Sequence, residues 1–435
     1  MKKSISLSVI VLMMISLLMG CTLFEETGSS KDDERMEESD NKDSKKDKKK
    51  EKKNKKDKTD KDDKDGKKDK KDKKRHSDEP ELATEKAVDP DEEIEDAPES
   101  GMRNVFAYYA SGDYMEVPIV YAYATSQLDI EEDYYKYHPE NLYDGDTSTA
   151  YVEGTDGDGI GEMVRFYFGI DDDRCTYPIT RIKVWPGYQK SKEVFENNSV
   201  PTLLEFYFTD GSMVDCEVPE NYRGDGPISI SLPKPVLATG CTMLIADAVS
   251  GKKYNDCCIS EIEFDYQETD GMMYYGHNTS SGDAKFTYEI DAYLGDEMYW
   301  SYTTNNMITE LTSSDHIFAF RKGTIYAYDD GKIIAIDGLT GNKIWENEEF
   351  GGYPIAWDFD DAGNLYLCGY YGPDLAIIDK DGNTVRRSTD ITDDTVCWPN
   401  MIIVNKGINE GKVSIYYNHC DGYDDYHGII ITVDK

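Results

Sequence analysis

The stretch NLYDGDTSTAYVEG, Asn141 to Gly154, gathers Asp144, Asp146 and Thr149 in one loop that runs into the strand-like Ala150-Tyr151-Val152. Three uses are open to it: a turn, a metal-binding loop, or part of a ligand site. As a turn, Asp144-Gly145 reverses the chain and Asp146 caps the reversal. The next acids, GTDGDGIGE from Gly154 to Glu162, alternate as in an EF-hand. Position twelve from Asp156 is Tyr167, where that motif needs a bidentate glutamate, so the EF-hand reading fails and a loop at the rim is expected. WPGYQKS offers Trp185, Tyr188, Gln189 and Lys190, and Asn197 and Asn198 follow. Sugar binding needs an aromatic platform for C–H faces and amide or charged donors for hydroxyls, which this cluster supplies. The plainer alternative, in a chain with 33 tyrosines, is that Trp185 is core and Tyr188 a turn aromatic. NHCDGYDDYH brings His419, Cys420 and His427 close to Asp424 and Asp425. Zinc would need a fourth ligand and a defined geometry, so a polar loop is expected there. The chain contains no H-E-x-x-H, G-x-S-x-G or phosphate-binding loop and no G-x-G-x-x-G after a strand; a non-enzymatic role is expected.

The elements that position these residues read as strands. MVRFYFGI, TRIKVWPGY, TLLEFYFTDGSMVDCEV, ISISLPKPVLAT, CTMLIADAV and CISEIEF are short β-patterned runs separated by Gly, Asp and Pro, with no amphipathic helix between them. That pattern predicts an all-β chain whose first folded region, residues 101–267, is an antiparallel β-sandwich. FTDGSM is a hairpin, with Asp210-Gly211 supplying the positive backbone angles of a tight turn. The second region, residues 283–435, repeats. IYAYDDGKIIAIDGLTGNKIWE and LYLCGYYGPDLAIIDKDGNTVRR begin about forty residues apart, the length of a four-stranded propeller blade. VSIYYNHCDGYDDYHGIIITVDK continues the series, and FTYEIDAYLGDEMYWSYTT is a candidate fourth member.

The chain begins with Lys2 and Lys3, then the apolar run Ile5 to Met19, too short for a comfortable membrane span and typical of a signal peptide. From Asn41 to Arg75 there are 20 Lys and Arg against 10 Asp and Glu, a net +10 that leaves −49 for the rest of a chain totalling −39. Residues 22–100 carry too few apolar side chains to offset the entropy of ordering, so a disordered charged linker is expected. A basic tether would lie along an anionic surface while the acidic body stands off. The sign of the folded part argues against nucleic acid as a partner. Beyond Cys21, five cysteines fall in the first region and three in the second. Odd counts rule out complete pairing within each region, so disulfides do not organise the fold.

Three resemblances follow from these motifs. LMGC, Leu18 to Cys21, resembles the lipobox of bacterial lipoproteins, which implies lipidation of Cys21 and an extracytoplasmic, membrane-anchored protein. NLYDGDTSTAYVEG and CISEIEF resemble the opening and closing segments of discoidin-like, galactose-binding-type sandwiches. More narrowly, Ile179 to Gly211 resembles the glycan-binding (translocation) domain of secreted bacterial NAD glycohydrolases, although Tyr151 stands where Trp is usual and NNSVP lacks an expected basic residue. The NAD-cleaving domain has no counterpart, so the resemblance implies binding. It also implies a structural Ca²⁺ held by Asp144, Asp146, Thr149 and Glu261 with main-chain carbonyls, and sugar contacts at Trp185, Tyr188, Lys190, Asn197 and Asn198. GKIIAIDGLTGNKIWE resembles the PQQ-like β-propeller repeat, with Thr340-Gly341 in the turn and Trp345 at the docking position. About eight blades enclose that quinone, so no PQQ is expected and a short or incomplete propeller follows.

Together these readings describe a membrane-anchored surface lipoprotein that binds a glycan or cell-wall polymer without catalysis, with the propeller part available to a protein partner. The alternatives are an envelope scaffold and a glycan-active hydrolase using carboxylates in the propeller.

Overall fold

The computed structural model describes residues 110–435 apart from 129–134, 171–172, 282–284, 307–317, 371, 390, 392–395 and 420–428. The leader with Cys21, the linker 22–100 and the loop with Cys420, Asp424, Asp425 and His427 therefore lie outside the described residues.

Two antiparallel sheets form the sandwich. The five-stranded sheet runs β1 (Ala110–Glu116), β11 (Cys258–Thr269), β6 (Tyr177–Pro186), β9 (Ile228–Ala238), and β3 (Tyr151–Val152) joins β11. The nine-stranded sheet runs β14 (Glu297–Asn306), β13 (Lys285–Leu294), β12 (Met272–Ser281), β5 (Asp173–Cys175), β4 (Met163–Ile170), β10 (Gly240–Val249), β7 (Val200–Phe208), β8 (Met213–Glu217), with β2 (Ile119–Ala124) on β4. The α-helix among the described residues is α1 (Lys192–Asn197), too short to cross a membrane. Prolines 233 and 235 sit in β9, an edge strand, where a missing N–H breaks no ladder. In the β7–β8 hairpin only Gly211 takes a positive φ, 93°. Asp210 instead holds the turn through its carboxylate, which accepts from the Ser212 amide (2.8 Å) and hydroxyl (2.6 Å).

Phe264, on the closing strand, is the centre of the sandwich core. Phe166, Phe168, Phe206 and Phe208 surround it at ring separations of 5.5, 5.1, 6.0 and 6.2 Å. On β4 only alternate residues face this core: Val164, Phe166 and Phe168. Their neighbours Met163, Arg165 and Tyr167 are buried as well, which explains why β4 reads as a continuous apolar run rather than an alternating one. A second layer covers the opposite face.

That layer is made of three further antiparallel sheets. The first is β15 (Phe318–Arg321), β16 (Thr324–Asp329), β17 (Lys332–Asp337) and β18 (Lys343–Asn347). The second is β19 (Tyr353–Phe359), β20 (Leu365–Tyr370), β21 (Leu375–Ile378) and β22 (Thr384–Ser388). The third is β23 (Val396–Val404), β24 (Lys412–His419) and β25 (Ile429–Asp434). A repeated contact links β14 to the first of these meanders and the first to the second. The Trp300 indole N–H donates to the Gly338 carbonyl (2.9 Å) and the Trp345 indole to that of Lys380 (3.1 Å). Each ring lies against a turn glycine, Gly341 or Gly382, where a Cβ would come within 2.8 Å of it. The corresponding position on β22 is Arg386, which donates instead to the Asp434 carbonyl. No sheet closes into a barrel among the described strands.

The sandwich and the meanders share cores. Tyr167 packs edge-on against Trp357 at 5.6 Å, and its hydroxyl donates to the Trp357 carbonyl (3.1 Å). Met163 and Leu244 pack with Met401, Ile403 and Tyr416. Leu237 packs with Met272, Tyr274 and Phe320. The thiols of Cys175, Cys216, Cys241, Cys257, Cys258 and Cys368 are unpaired.

Between these apolar contacts sits Arg165, 1 % exposed. Its Nη1 lies 3.2 Å from Asp358 Oδ1 and donates to Thr242 Oγ1 (3.2 Å). Asp358 in turn accepts from the main-chain N–H of Phe359 and of Val404, both at 2.8 Å. One ion pair thus ties the nine-stranded sheet to two of the meanders. Replacing Asp358 by Ala strands a buried charge and should cost about 3–5 kcal/mol in urea denaturation. The double replacement Arg165→Met with Asp358→Leu should recover most of that loss. A single variant as stable as the wild type would show that the pair does not hold the layers.

Candidate functional site

The opening loop is entered through a 3₁₀ turn, Pro139–Leu142, whose first amide groups need a partner; the Glu140 N–H donates to His138 Nδ1 at 3.2 Å. Burial lowers the His138 pKa to about 4, so the ring is neutral and able to accept. Within the loop the side chains staple the backbone. The Asp146 N–H donates to Asp144 Oδ1 (2.7 Å), the Thr149 hydroxyl donates to Asp144 Oδ2 (2.7 Å), and the Ser148 N–H donates to Asp146 Oδ1 (2.8 Å). Gly145, at φ 76°, makes the reversal. The turn reading of Asp144-Gly145-Asp146 therefore describes what these groups do among themselves.

Glu261 brings the far end of the sandwich to this loop. It is 3 % exposed, and its Oε1 accepts from the Gly145 N–H at 3.4 Å, while its Oε2 is buried without a hydrogen-bond partner. Burial pushes the carboxyl up to about 8, opposed by the Gly145 hydrogen bond and reinforced by the charge of Asp144. An orphaned buried oxygen beside a second carboxylate suits a hard cation. The rest of the shell would have to come from main-chain carbonyls. No group of three or more His, Cys, Asp or Glu side chains is gathered among the described residues.

The second loop joins the first through Ser260. Its hydroxyl donates to the Thr147 carbonyl (3.1 Å) and accepts from the Gln189 N–H (2.9 Å). Tyr188 is half-buried against the cluster of Ala150, Val152 and Cys258, on which Leu128 and Tyr137 also pack. Lys190 is exposed near Asp146, whose carboxyl is held below its usual range by Ser148 first and Lys190 second. Trp185 is half-buried on β6, directly across from Glu261 on β11. The structure thus brings together Asp144, Asp146, Thr149, Glu261, Trp185, Tyr188 and Lys190 at one end of the sandwich.

Asn197 and Asn198 are placed differently, at the end of α1. The Asn197 carbonyl accepts from the amides of Lys253 (3.1 Å) and Tyr254 (2.8 Å), and the Asn198 amide donates to the Val194 carbonyl (2.8 Å). Both order the backbone there. Asn198 also lines a surface hollow of about 330 Å³, adjoining one of about 390 Å³ lined by Gln189, Lys192, Phe195, Glu196 and Arg223. Phe195 separates two loops: a Cβ on Gly187 or on Gly224 would strike its ring at 2.5 or 2.7 Å. Its ring meets Tyr222 edge-on at 5.9 Å, and Gln189 Nε2 donates to the Tyr222 hydroxyl at 2.5 Å. Tyr222 and Arg223 were not found from sequence. NYRGDG reads as turn residues, and only the tertiary approach of α1 makes it a wall.

With this geometry in view, residues 113–265 match the family model described as the NAD glycohydrolase translocation F5/8 type C domain. No curated protein matches the chain. Among solved structures it is similar to the family 32 carbohydrate-binding module of C. perfringens NanJ, in complex with galactose, at 16% identity and a TM-score of 0.27, covering 35% of this chain and 99% of that one. It is also similar to the family 32 module of Streptococcus pneumoniae EndoD at 13% identity, TM-score 0.25, covering 35% and 96%. Discoidin II of Dictyostelium discoideum matches at 8% identity, TM-score 0.25, covering 42% and 73%.

Glu261 holds its proton more tightly folded than unfolded, so its contribution to stability is complete below about 4.5 and is lost as pH rises toward 8. His138 acts oppositely: its contribution is present above about 6.5 and is lost as pH falls toward 4. In chelator, the urea midpoint of the wild type should decline between pH 5 and 8, and Glu261→Gln should flatten that limb alone. An identical slope in both proteins would remove Glu261 as its cause.

Proposed function

We propose that this protein is a surface lipoprotein, held at the extracytoplasmic face of the cell membrane by lipid on Cys21, whose sandwich binds carbohydrate of the envelope or surroundings without catalysing a reaction. The F5/8 type C match over residues 113–265 carries this reading. The hollow of about 390 Å³ lined by Gln189, Ser191, Lys192, Phe195, Glu196 and Arg223 supports it and falls within the size range of small-ligand sites. Lys192 and Arg223 supply donors for hydroxyls or for an acidic group, and Tyr188 and Tyr222 supply partly exposed aromatic surface. A Ca²⁺ at Glu261 Oε2 would fix the Asp144–Thr149 loop to β11, a structural role one loop away from the sugar. The meanders, read as propeller-type repeats, present a second surface for a protein partner.

Because the sandwich shares cores with the meanders, binding is best measured on the intact protein. On a glycan array the wild type should bind, and Arg223→Ala should weaken binding about tenfold or more, since a charged hydrogen bond contributes about 1.5–3 kcal/mol. Tyr188→Ala should weaken it as well, and Lys343→Ala, on β18, should leave it unchanged. An empty array beside a robust protein pull-down would favour an envelope scaffold. Turnover of a polysaccharide panel would instead point to a hydrolase.

For the cation, thermal melts in excess Ca²⁺ and in EDTA should differ, with the higher midpoint in Ca²⁺, and Glu261→Gln should abolish the difference. Equal midpoints in the wild type would dispose of the calcium site.

A further inference from the structure

Arg321, at the end of β15, is 7 % exposed and forms no ion pair among the described residues. Its Nη2 donates to the Asp360 carbonyl at 2.8 Å, its Nη1 to the Thr209 carbonyl at 3.4 Å, and its face lies 5.1 Å from the Phe359 ring; Nε has no partner. The nearby acids are engaged elsewhere. Asp360 turns its carboxylate to Asn364 and Tyr366, and Asp210 turns its own to Ser212. A guanidinium cannot deprotonate, so burying one whose direct hydrogen bonds reach only neutral carbonyls is costly, the charges of Asp210 and Asp361 acting on it without an ion pair.

Arg321 does not stand alone. It lines a cavity of about 20 Å³ with Arg165 and Lys406, among Thr209, Ser212 and Thr242. Arg165 Nε and Nη2 are also buried without partners. Lys406 Nζ donates to Asp361 Oδ1 at 2.6 Å. Three cations therefore meet two carboxylates here. Asp358 is shared with two main-chain amides, and the Asp361 side chain is 73 % exposed, so water screens it. The cavity exceeds the 10–15 Å³ or so that holds one water and is too small for a sulfate or a sugar.

We infer that this cavity binds a single small inorganic anion of chloride size, which supplies the counter-charge of Arg321 and locks the sandwich to the meanders. The ion touches both layers at once. It is unconnected with the proposed sugar site and stands whether or not that reading holds.

The intact protein is melted in sodium chloride and in sodium gluconate at matched ionic strength. The wild-type midpoint should be higher in chloride and should rise with the logarithm of chloride concentration, as mass action requires for a native-state ligand. In Arg321→Met the two salts should give the same midpoint. Crystals of the wild type soaked in bromide should show an anomalous peak bounded by Arg165, Arg321 and Lys406, a readout that does not depend on the variant folding. Equal wild-type midpoints in the two salts, or a bromide map with no peak in the cavity, would overturn the proposal; so would an Arg321→Met protein that keeps the full chloride response.

Discussion

A guanidinium cannot shed its proton, and Arg165 carries one into the middle of an otherwise apolar strand. Everything around it follows from accommodating that charge. Asp358 pairs with it, the rings of Tyr167 and Trp357 lie at 5.0 Å from it, and Thr242 takes one N–H. These partners come from two sheets, and Asp358 is itself held by the Val404 N–H of a third, so the charge is tolerable only when all three are in place. Replacing the ion pair by a hydrophobic pair of similar volume is often neutral or stabilising, so its value lies less in stability than in fixing which sheet meets which.

The candidate site depends on this indirectly. Its loops project from the end of the sandwich, and the sandwich supplies two layers of a three-layer stack whose middle sheet is buried on both faces. A loop that binds a ligand needs a rigid base. Ser260, Glu261 and Trp185 sit on the long strands β11 and β6, the most extensively paired in the five-stranded sheet, while the site's loops are carried outside these strands.

What could be read from the sequence was local. Strand periodicity located the principal strands and DG turns marked reversals, because each of these signals lies within a few residues of its effect. Even there the chemistry differed in detail: Asp210 holds its turn by accepting hydrogen bonds rather than by adopting a positive φ. Pairings across long separations were illegible. The Tyr167 hydroxyl reaches a carbonyl 190 residues away, and nothing in MVRFYFGI announces that its odd-numbered residues will face a second layer. Asn197 and Asn198 looked like sugar contacts because amides suit hydroxyls, yet a short helix needs its last carbonyls and the following turn ordered, and that need sits closer along the chain. Tyr222 and Arg223 belong to a segment without periodicity, so they acquire a role only when Phe195 packs between Gly187 and Gly224.

The double burial of β4 also sets an order of events. Met163 Sδ accepts a hydrogen bond from the Lys406 amide, 243 residues later in the chain. At usual synthesis rates of about 5–20 residues per second, roughly 10–50 s separate the emergence of the two. During that interval the sandwich can complete its own core but must leave Met163, Tyr167 and Leu244 uncovered. A nascent chain of this design carries a sticky, half-dressed sheet until its last meander arrives, and it is there that a holding chaperone would find its grip.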